Sequence, residues 1–221
     1  MKAPIQKTSA HTLEEFLELP ETKPASEYID GKIQQKPMPQ GKHSRLRTCL
    51  STAINQQGKV KKLAYASCSI ASTRGTRATA FRVFTELRCT FAGRSIVPDI
   101  AVFEWQNIPL DDNGQIANKF KIAPDWTIKI LSPDGRHKLP NAIRETRPQQ
   151  SANRVIRKIL FCLQNGTELG YLVDVDDESV TVFQPDRLPE VKEKQDILPV
   201  LDVLQNWQLT VEEVFNWLKF T

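Results

Sequence analysis

Two apolar runs in this 221-residue chain are each broken by a single charge, and those two charges are the first candidates for chemistry. Residues 95–103 read SIVPDIAVF, where the charge is Asp99, and residues 126–131 read WTIKIL, where it is Lys129. Strands that are apolar without alternation are covered on both faces. An ionised group in such a strand costs several kcal/mol unless it is paired or bound to something. Either the two charges lie at strand ends and reach water, or both point into a common site. A second signal is regional basicity. Between 134 and 158, seven basic residues (Arg136, Lys138, Arg144, Arg147, Arg154, Arg157, Lys158) stand against Asp134 and Glu145, a local +5 in a chain whose net charge is +4. Residues 74–94 add five arginines against Glu86. Such a segment is either a phosphate-contacting surface or a solvated insertion.

The elements that must position these residues follow from periodicity. Thr12 and Glu15 form a capping box that opens a short helix with Leu13, Phe16 and Leu17 on one face. SEYIDGKIQQK predicts a hairpin around Asp30-Gly31. From 42 to 57, Leu46, Cys49, Leu50, Ala53 and Ile54 recur at helical spacing, and Gly58 reads as the stop. LAYASCSIA, ATAFRVFTEL, SIVPDIAVFEW and DWTIKILS predict strands, and IPLDDNGQ a loop. Residues 134–150 show no period and hold two prolines, which reads as a loop. Ser151 caps a helix with Val155, Ile159, Leu160 and Leu163 as its apolar positions, stopped at Asn165-Gly166. ELGYLVDV and SVTVFQP are two further strands, and Thr210 with Glu213 opens a last helix burying Val211, Val214, Phe215 and Leu218. Mixed strands with flanking helices predict one α/β or α+β domain over 1–221.

Taken in order, EYIDGKI, KPMPQGKHS, SIVPDIAVFEW, APDWTIKILSP and NGTELGYLVDV resemble the Uma-two family of restriction endonucleases, from about Thr12 to the last helix. The resemblance implies a restriction-endonuclease-like core of the PD-(D/E)XK type, a mixed β-sheet flanked by helices. It also implies metal-dependent hydrolysis of DNA phosphodiester bonds. In that chemistry two carboxylates hold a divalent ion, Mg2+ or Mn2+, through oxygen ligands. The ion lowers the pKa of a bound water and neutralises the transferring phosphate, and a lysine orients the water or stabilises the transition state. By position, Asp99 corresponds to the first metal carboxylate and Glu27 to the family's upstream acid. Lys158 corresponds to a lysine moved from the strand onto the helix. Arg154, four residues earlier, shares its helix face, so either could serve. His43 matches the family histidine, with local hydrogen bonding at a helix start as the other reading. Tyr28, Phe103 and Trp126 read as core, and Glu104 as a solvated strand end.

Two departures fall at the implied site. The family carries its second catalytic carboxylate where this chain has Lys129. An ammonium about 4 Å from a dication is repelled by on the order of 8 kcal/mol at an effective dielectric near 20. The expected outcome is that Lys129 pairs with Asp99, Glu27 or both and stands where the metal would. The second departure is the basic insertion at about 135–150, next to the helix that carries Lys158. Two functions therefore stay open. One is a metal-dependent endonuclease working through Asp99, Glu27, Lys158 and Arg154, impaired at Lys129. The other is a degenerate module of the same fold that binds nucleic acid or protein, with no metal cofactor.

Composition excludes other classes. At 40% hydrophobic and 25% charged residues the chain is globular rather than disordered. No run approaches the roughly 20 apolar residues of a membrane span, and no secretory h-region is visible, which predicts a cytoplasmic protein. Cys49, Cys68, Cys89 and Cys162 form no C-x-x-C pair and read as reduced, buried thiols. The three histidines have no zinc spacing. DNA is the expected partner; a homo-oligomer is neither implied nor excluded.

Overall fold

The computed structural model describes residues 11–67, 81–131 and 152–219; the side chains of 58–67, Cys68, residues 74–80 of the arginine-rich stretch, the 135–150 insertion and Ser151 lie outside the described residues. Helix α1 (Leu13–Glu18) starts at the expected capping box, with Thr12 and Glu15 bonded reciprocally, and buries Phe16 alone; Leu17 is exposed. Strands β1 (Ser26–Ile29) and β2 (Lys32–Gln35) pair antiparallel around Asp30 and Gly31. Both turn residues have positive φ, 50° and 77°, the type I′ geometry that an Asp-Gly pair favours.

Helix α2 (Gly41–Ser67) runs past Gly58 and takes in the first residues of LAYASCSIA, so the expected stop and the expected strand start are both corrected. One internal glycine costs a helix only about 1 kcal/mol, too little to end it. Its buried stripe is His43, Leu46, Leu50 and Ile54, spaced by three and four residues.

The run SIVPDIAVFEW is likewise two strands, not one. Strand β5 (Arg94–Ile96) belongs to a four-stranded sheet ordered β2-β1-β5-β4, with β4 (Cys89–Phe91) antiparallel to it. Strand β6 (Ile100–Glu104) belongs to a six-stranded sheet, together with β3 (Phe81–Thr85), β7 (Trp126–Leu131), β8 (Leu169–Asp174), β9 (Ser179–Phe183) and β10 (Glu190–Glu193). Its order is β10-β9-β8-β7-β6-β3. Pro98 has no N–H to donate to a ladder. The chain leaves one sheet and enters the other across Val97, Pro98 and Asp99.

Strands β7 and β8 are parallel, and helix α3 (Ala152–Gln164) lies in the connection between them, packed on both. Alternation sorts β7 by face. Trp126, Ile128 and Ile130 join the main core with Leu46, Leu50 and Ile54 of α2, while Leu131 packs with Val155 and Ile159 of α3. Lys129 therefore falls on the α3 side. The C-terminal part adds a small pair, β11 (Ile197–Leu198) with β12 (Leu209–Thr210), and helix α4 (Val211–Asn216), capped by Thr210. Tyr28, Phe103 and Trp126 are buried as expected. Cys89 and Cys162 are buried free thiols and Cys49 is half-buried. Among the described residues no helix is long and apolar enough to cross a membrane.

Glycine at 170 is what lets α3 lie close on β8. A Cβ there would stand 2.4 Å from Ile159 Cγ2 and 3.4 Å from the Phe183 Cβ. Gly170→Ala is expected to destabilise the fold by about 1–3 kcal/mol, the usual cost of overpacking. Urea unfolding monitored by far-UV circular dichroism measures it; an unchanged midpoint would show that α3 is not held against the sheet at this point.

Candidate active site

Six segments bring titratable side chains to the seam between the two sheets. Glu27 comes from β1, Lys36 from the residue after β2, His43 from the first turn of α2, and Asp99 from the crossover. Lys129 comes from β7 and Lys158 from α3. All six side chains are buried; Glu27, Asp99 and Lys129 are each only 1% exposed, and Lys36 and Lys158 sit nearest the surface at 9% and 8%. Each position has a local cause. Lys36 is set by its own N–H, which donates to the Ala25 carbonyl at 2.9 Å and closes the base of the hairpin. His43 shares the buried stripe of α2. Lys158 follows Val155 by three residues and so faces inward with it.

The contacts form one connected network. Glu27 Oε1 accepts the Val97 N–H at 2.8 Å and faces Lys129 Nζ at 3.5 Å, while its Oε2 pairs with Lys158 Nζ. Lys129 Nζ donates to the Val97 carbonyl at 2.6 Å. Asp99 Oδ1 takes Lys36 Nζ at 2.6 Å, and that ammonium also reaches the Val97 carbonyl at 3.1 Å. Asp99 Oδ2 accepts the Ile130 N–H at 2.9 Å and lies 3.5 Å from His43 Nε2. His43 Nδ1 is buried with no hydrogen-bond partner among the described residues.

Sequence reasoning reached Glu27, Asp99, Lys129 and Lys158, and the fold brings these four together. Of the two partners open to it, Lys129 takes Glu27; the direct ion pair to Asp99 comes from Lys36, which sequence reasoning missed. Lys36 follows a polar strand and is one lysine among several, so its only signal was its place in KPMPQGKHS. His43 is buried against Asp99 rather than bonded locally. Arg154 is exposed and makes none of the network's contacts, so sharing a helix face with Lys158 did not bring it in. Glu104 ends β6, about 16 Å of extended chain from Asp99, and is half-buried.

The electrostatics follow from this wiring. Burial alone would raise the Glu27 carboxyl, but Lys129, Lys158 and the Val97 N–H hold it down to about 2. Asp99 is held well below the ordinary carboxylate range, its burial outweighed by Lys36, Lys129 and His43. The lysines sharing Glu27 move in opposite directions. For Lys129, Glu27 and Asp99 overcome burial and raise it. Lys158 is lowered by burial and by the like charge of Lys129, against the pull of Glu27.

Three lysines thus surround two carboxylates, and every carboxylate oxygen is already engaged. That donor set does not fit a divalent ion, which needs several free, anionic or carbonyl oxygens. Among the described residues no group of three or more His, Cys, Asp or Glu side chains is placed to share a metal. As it stands, the arrangement holds its charges buried, with Lys36 committed to Asp99 and the Val97 carbonyl and Lys158 to Glu27.

The chain belongs to the Uma2 family, described as putative restriction endonucleases, whose model matches residues 13–212. It is similar over its length to a crystal structure from Anabaena variabilis ATCC 29413, described as a putative nuclease belonging to DUF820. The two share 43% identity with a TM-score of 0.78, over 95% of this chain and 99% of that one. No protein with a curated description matches the chain. The fold is therefore the restriction-endonuclease-like mixed sheet flanked by helices.

Depressed carboxylates link stability to acid. A group whose folded pKa lies below its unfolded value stabilises the fold above the unfolded pKa and loses that contribution as pH falls through the folded one. For Glu27 the window runs from 4.5 down to about 2, a span worth on the order of 3 kcal/mol. Glu27→Gln is expected to flatten the acid limb in that window. At neutral pH it is expected to cost about 3–5 kcal/mol, because Lys129 and Lys158 lose their anion. Urea midpoints at several pH values test both; an unchanged acid limb would mean Glu27 is not the group being protonated.

Proposed function

We propose that this chain is a restriction-endonuclease-type nuclease by descent. It engages DNA at the Glu27–Asp99–Lys158 centre, and Lys129 impairs metal-dependent cleavage of phosphodiester bonds there. The observation that carries this reading is the Lys129 ammonium on the Val97 carbonyl and beside Glu27. The family resemblance implies a carboxylate at this position. In enzymes of this type the ion activates water and neutralises the phosphate. The residues here do not fit that ion, so the chemistry open to this chain is what its own side chains do.

Those side chains support phosphate binding. Lys158 is one of the two lysines nearest the surface, and burial together with the like charge of Lys129 lowers its pKa. It can donate to a phosphate oxygen, while Glu27 behind it fixes its direction. Lys36 and Lys129 keep the two carboxylates from repelling an incoming anion. A second reading, a module of the same fold that binds DNA or protein without cutting, is favoured by one specific observation, the full engagement of Asp99 and Glu27 by lysines and backbone N–H groups.

Plasmid assays with Mg2+ or Mn2+ separate the readings. Wild type is expected to nick supercoiled DNA weakly or not at all. Robust cleavage that Asp99→Ala abolishes would overturn the impairment. Duplex binding is expected to persist and to weaken steeply with salt. Replacing Arg144 and Arg147 with Ala is expected to shallow the slope of log affinity against log salt by about 1–2; an unchanged slope would assign that insertion to a solvated role.

A further inference from the structure

Three oxygens converge at the sheet seam, two from carboxylates and one from the backbone: Asp99 Oδ1, Glu27 Oε1 and the Val97 carbonyl. These are hard oxygen donors of the kind that divalent cations take. Two ammoniums are threaded through them in series. Lys36 Nζ bridges Asp99 Oδ1 and the Val97 carbonyl, at 2.6 and 3.1 Å. Lys129 Nζ bridges the same carbonyl and Glu27 Oε1, at 2.6 and 3.5 Å. The Val97 carbonyl thus accepts from both. Pro98 follows it, so this stretch of backbone is free of a ladder and its carbonyl can point inward. Two monocations supply the charge of one dication, balancing Asp99 and Glu27, and Lys158 on Glu27 Oε2 leaves the whole cluster with one positive charge in excess.

We propose that Lys36 and Lys129 together are a tethered substitute for a divalent cation, with Lys36 as the half of the pair that guards Asp99. This rests on the reading of the centre as a nuclease site whose metal has been replaced, and it goes beyond it by naming a second residue. The consequence is specific. Returning a carboxylate at 129 is not sufficient to return a metal site, because the Lys36 ammonium still covers Asp99 Oδ1. Lys36 is here a positioning residue: it fixes the charge state of the seam and touches no substrate. Lys36 is buried, so Lys36→Met keeps most of the side-chain bulk while removing the charge.

The experiment is a Mn2+ titration followed by thermal unfolding, on the full chain as wild type, Lys129→Glu, and Lys129→Glu with Lys36→Met. A ligand that binds only the native state raises the midpoint. Wild type is expected to show no Mn2+-dependent shift, and Lys129→Glu a shift only at the highest concentrations. The double variant is expected to shift at concentrations at least about tenfold lower, since a cation no longer opposes the ion at close range. Equal concentration dependence for the single and double variants would overturn the role of Lys36 while leaving the reading of Lys129 intact. A wild-type shift that Asp99→Ala removes would instead overturn the metal-replaced reading itself. Should the double variant unfold in buffer, refolding from urea with and without Mn2+ replaces the midpoint. Recovery of a cooperative transition with Mn2+ alone supports the proposal, and no recovery in either condition overturns it.

Discussion

Two carboxylates buried at the junction of two sheets have to be neutralised, and most of the surrounding architecture can be read as the means of doing so. Each would cost several kcal/mol if left ionised and unpaired. Asp99 and Glu27 reach the junction because the chain changes sheets at Val97–Asp99 and because β1 runs beside β5, with Tyr28 opposite Ser95. Neutralisation then draws on the β1–β2 hairpin for Lys36, on α2 for His43, on β7 for Lys129 and on α3 for Lys158. Elements distant in sequence are thereby tied to one point, with pairs separated by up to 131 residues.

Buried ion networks are weak contributors to net stability but costly to break at one member, because the remaining charges are left without partners. That asymmetry explains how a centre can lose its ion and still keep its carboxylates. Once lysines hold Glu27 and Asp99, removing either acid is penalised regardless of whether any chemistry takes place. Retained carboxylates at this seam are therefore a record of the fold's electrostatic needs as much as of catalysis. The same wiring sets the direction of four titrations: Glu27 and Asp99 are pulled down, Lys129 is held up, and Lys158 is lowered.

Much of the centre was legible in the sequence because charges in apolar runs are conspicuous. Asp99 and Lys129 stand out within SIVPDIAVF and WTIKIL, and the type I′ hairpin follows from Asp30-Gly31. Lys158 and Glu27 needed the family resemblance, since a lysine on a helix and a glutamate on a strand are ordinary by themselves. Lys36 was invisible for a physical reason. It is buried by the closure of a hairpin base and by a partner 63 residues away, and neither leaves a local period. The helix that continues through Gly58 and the strand that breaks at Pro98 were misread because local signals were weighed without tertiary packing. Short polar strands such as β10, and the two-residue pair β11 and β12, carry too few residues for alternation to register.

The central claim is that ammoniums stand where relatives of this type would hold a metal. Crystals of the wild-type chain grown in Mn2+, with anomalous scattering recorded near the manganese edge, test it most directly. The expected map has no manganese peak between Asp99 and Glu27, with the Lys129 ammonium on the Val97 carbonyl and the Lys36 ammonium on Asp99. A manganese peak ligated by Asp99, with Lys129 or Lys36 turned away to make room, would contradict the account.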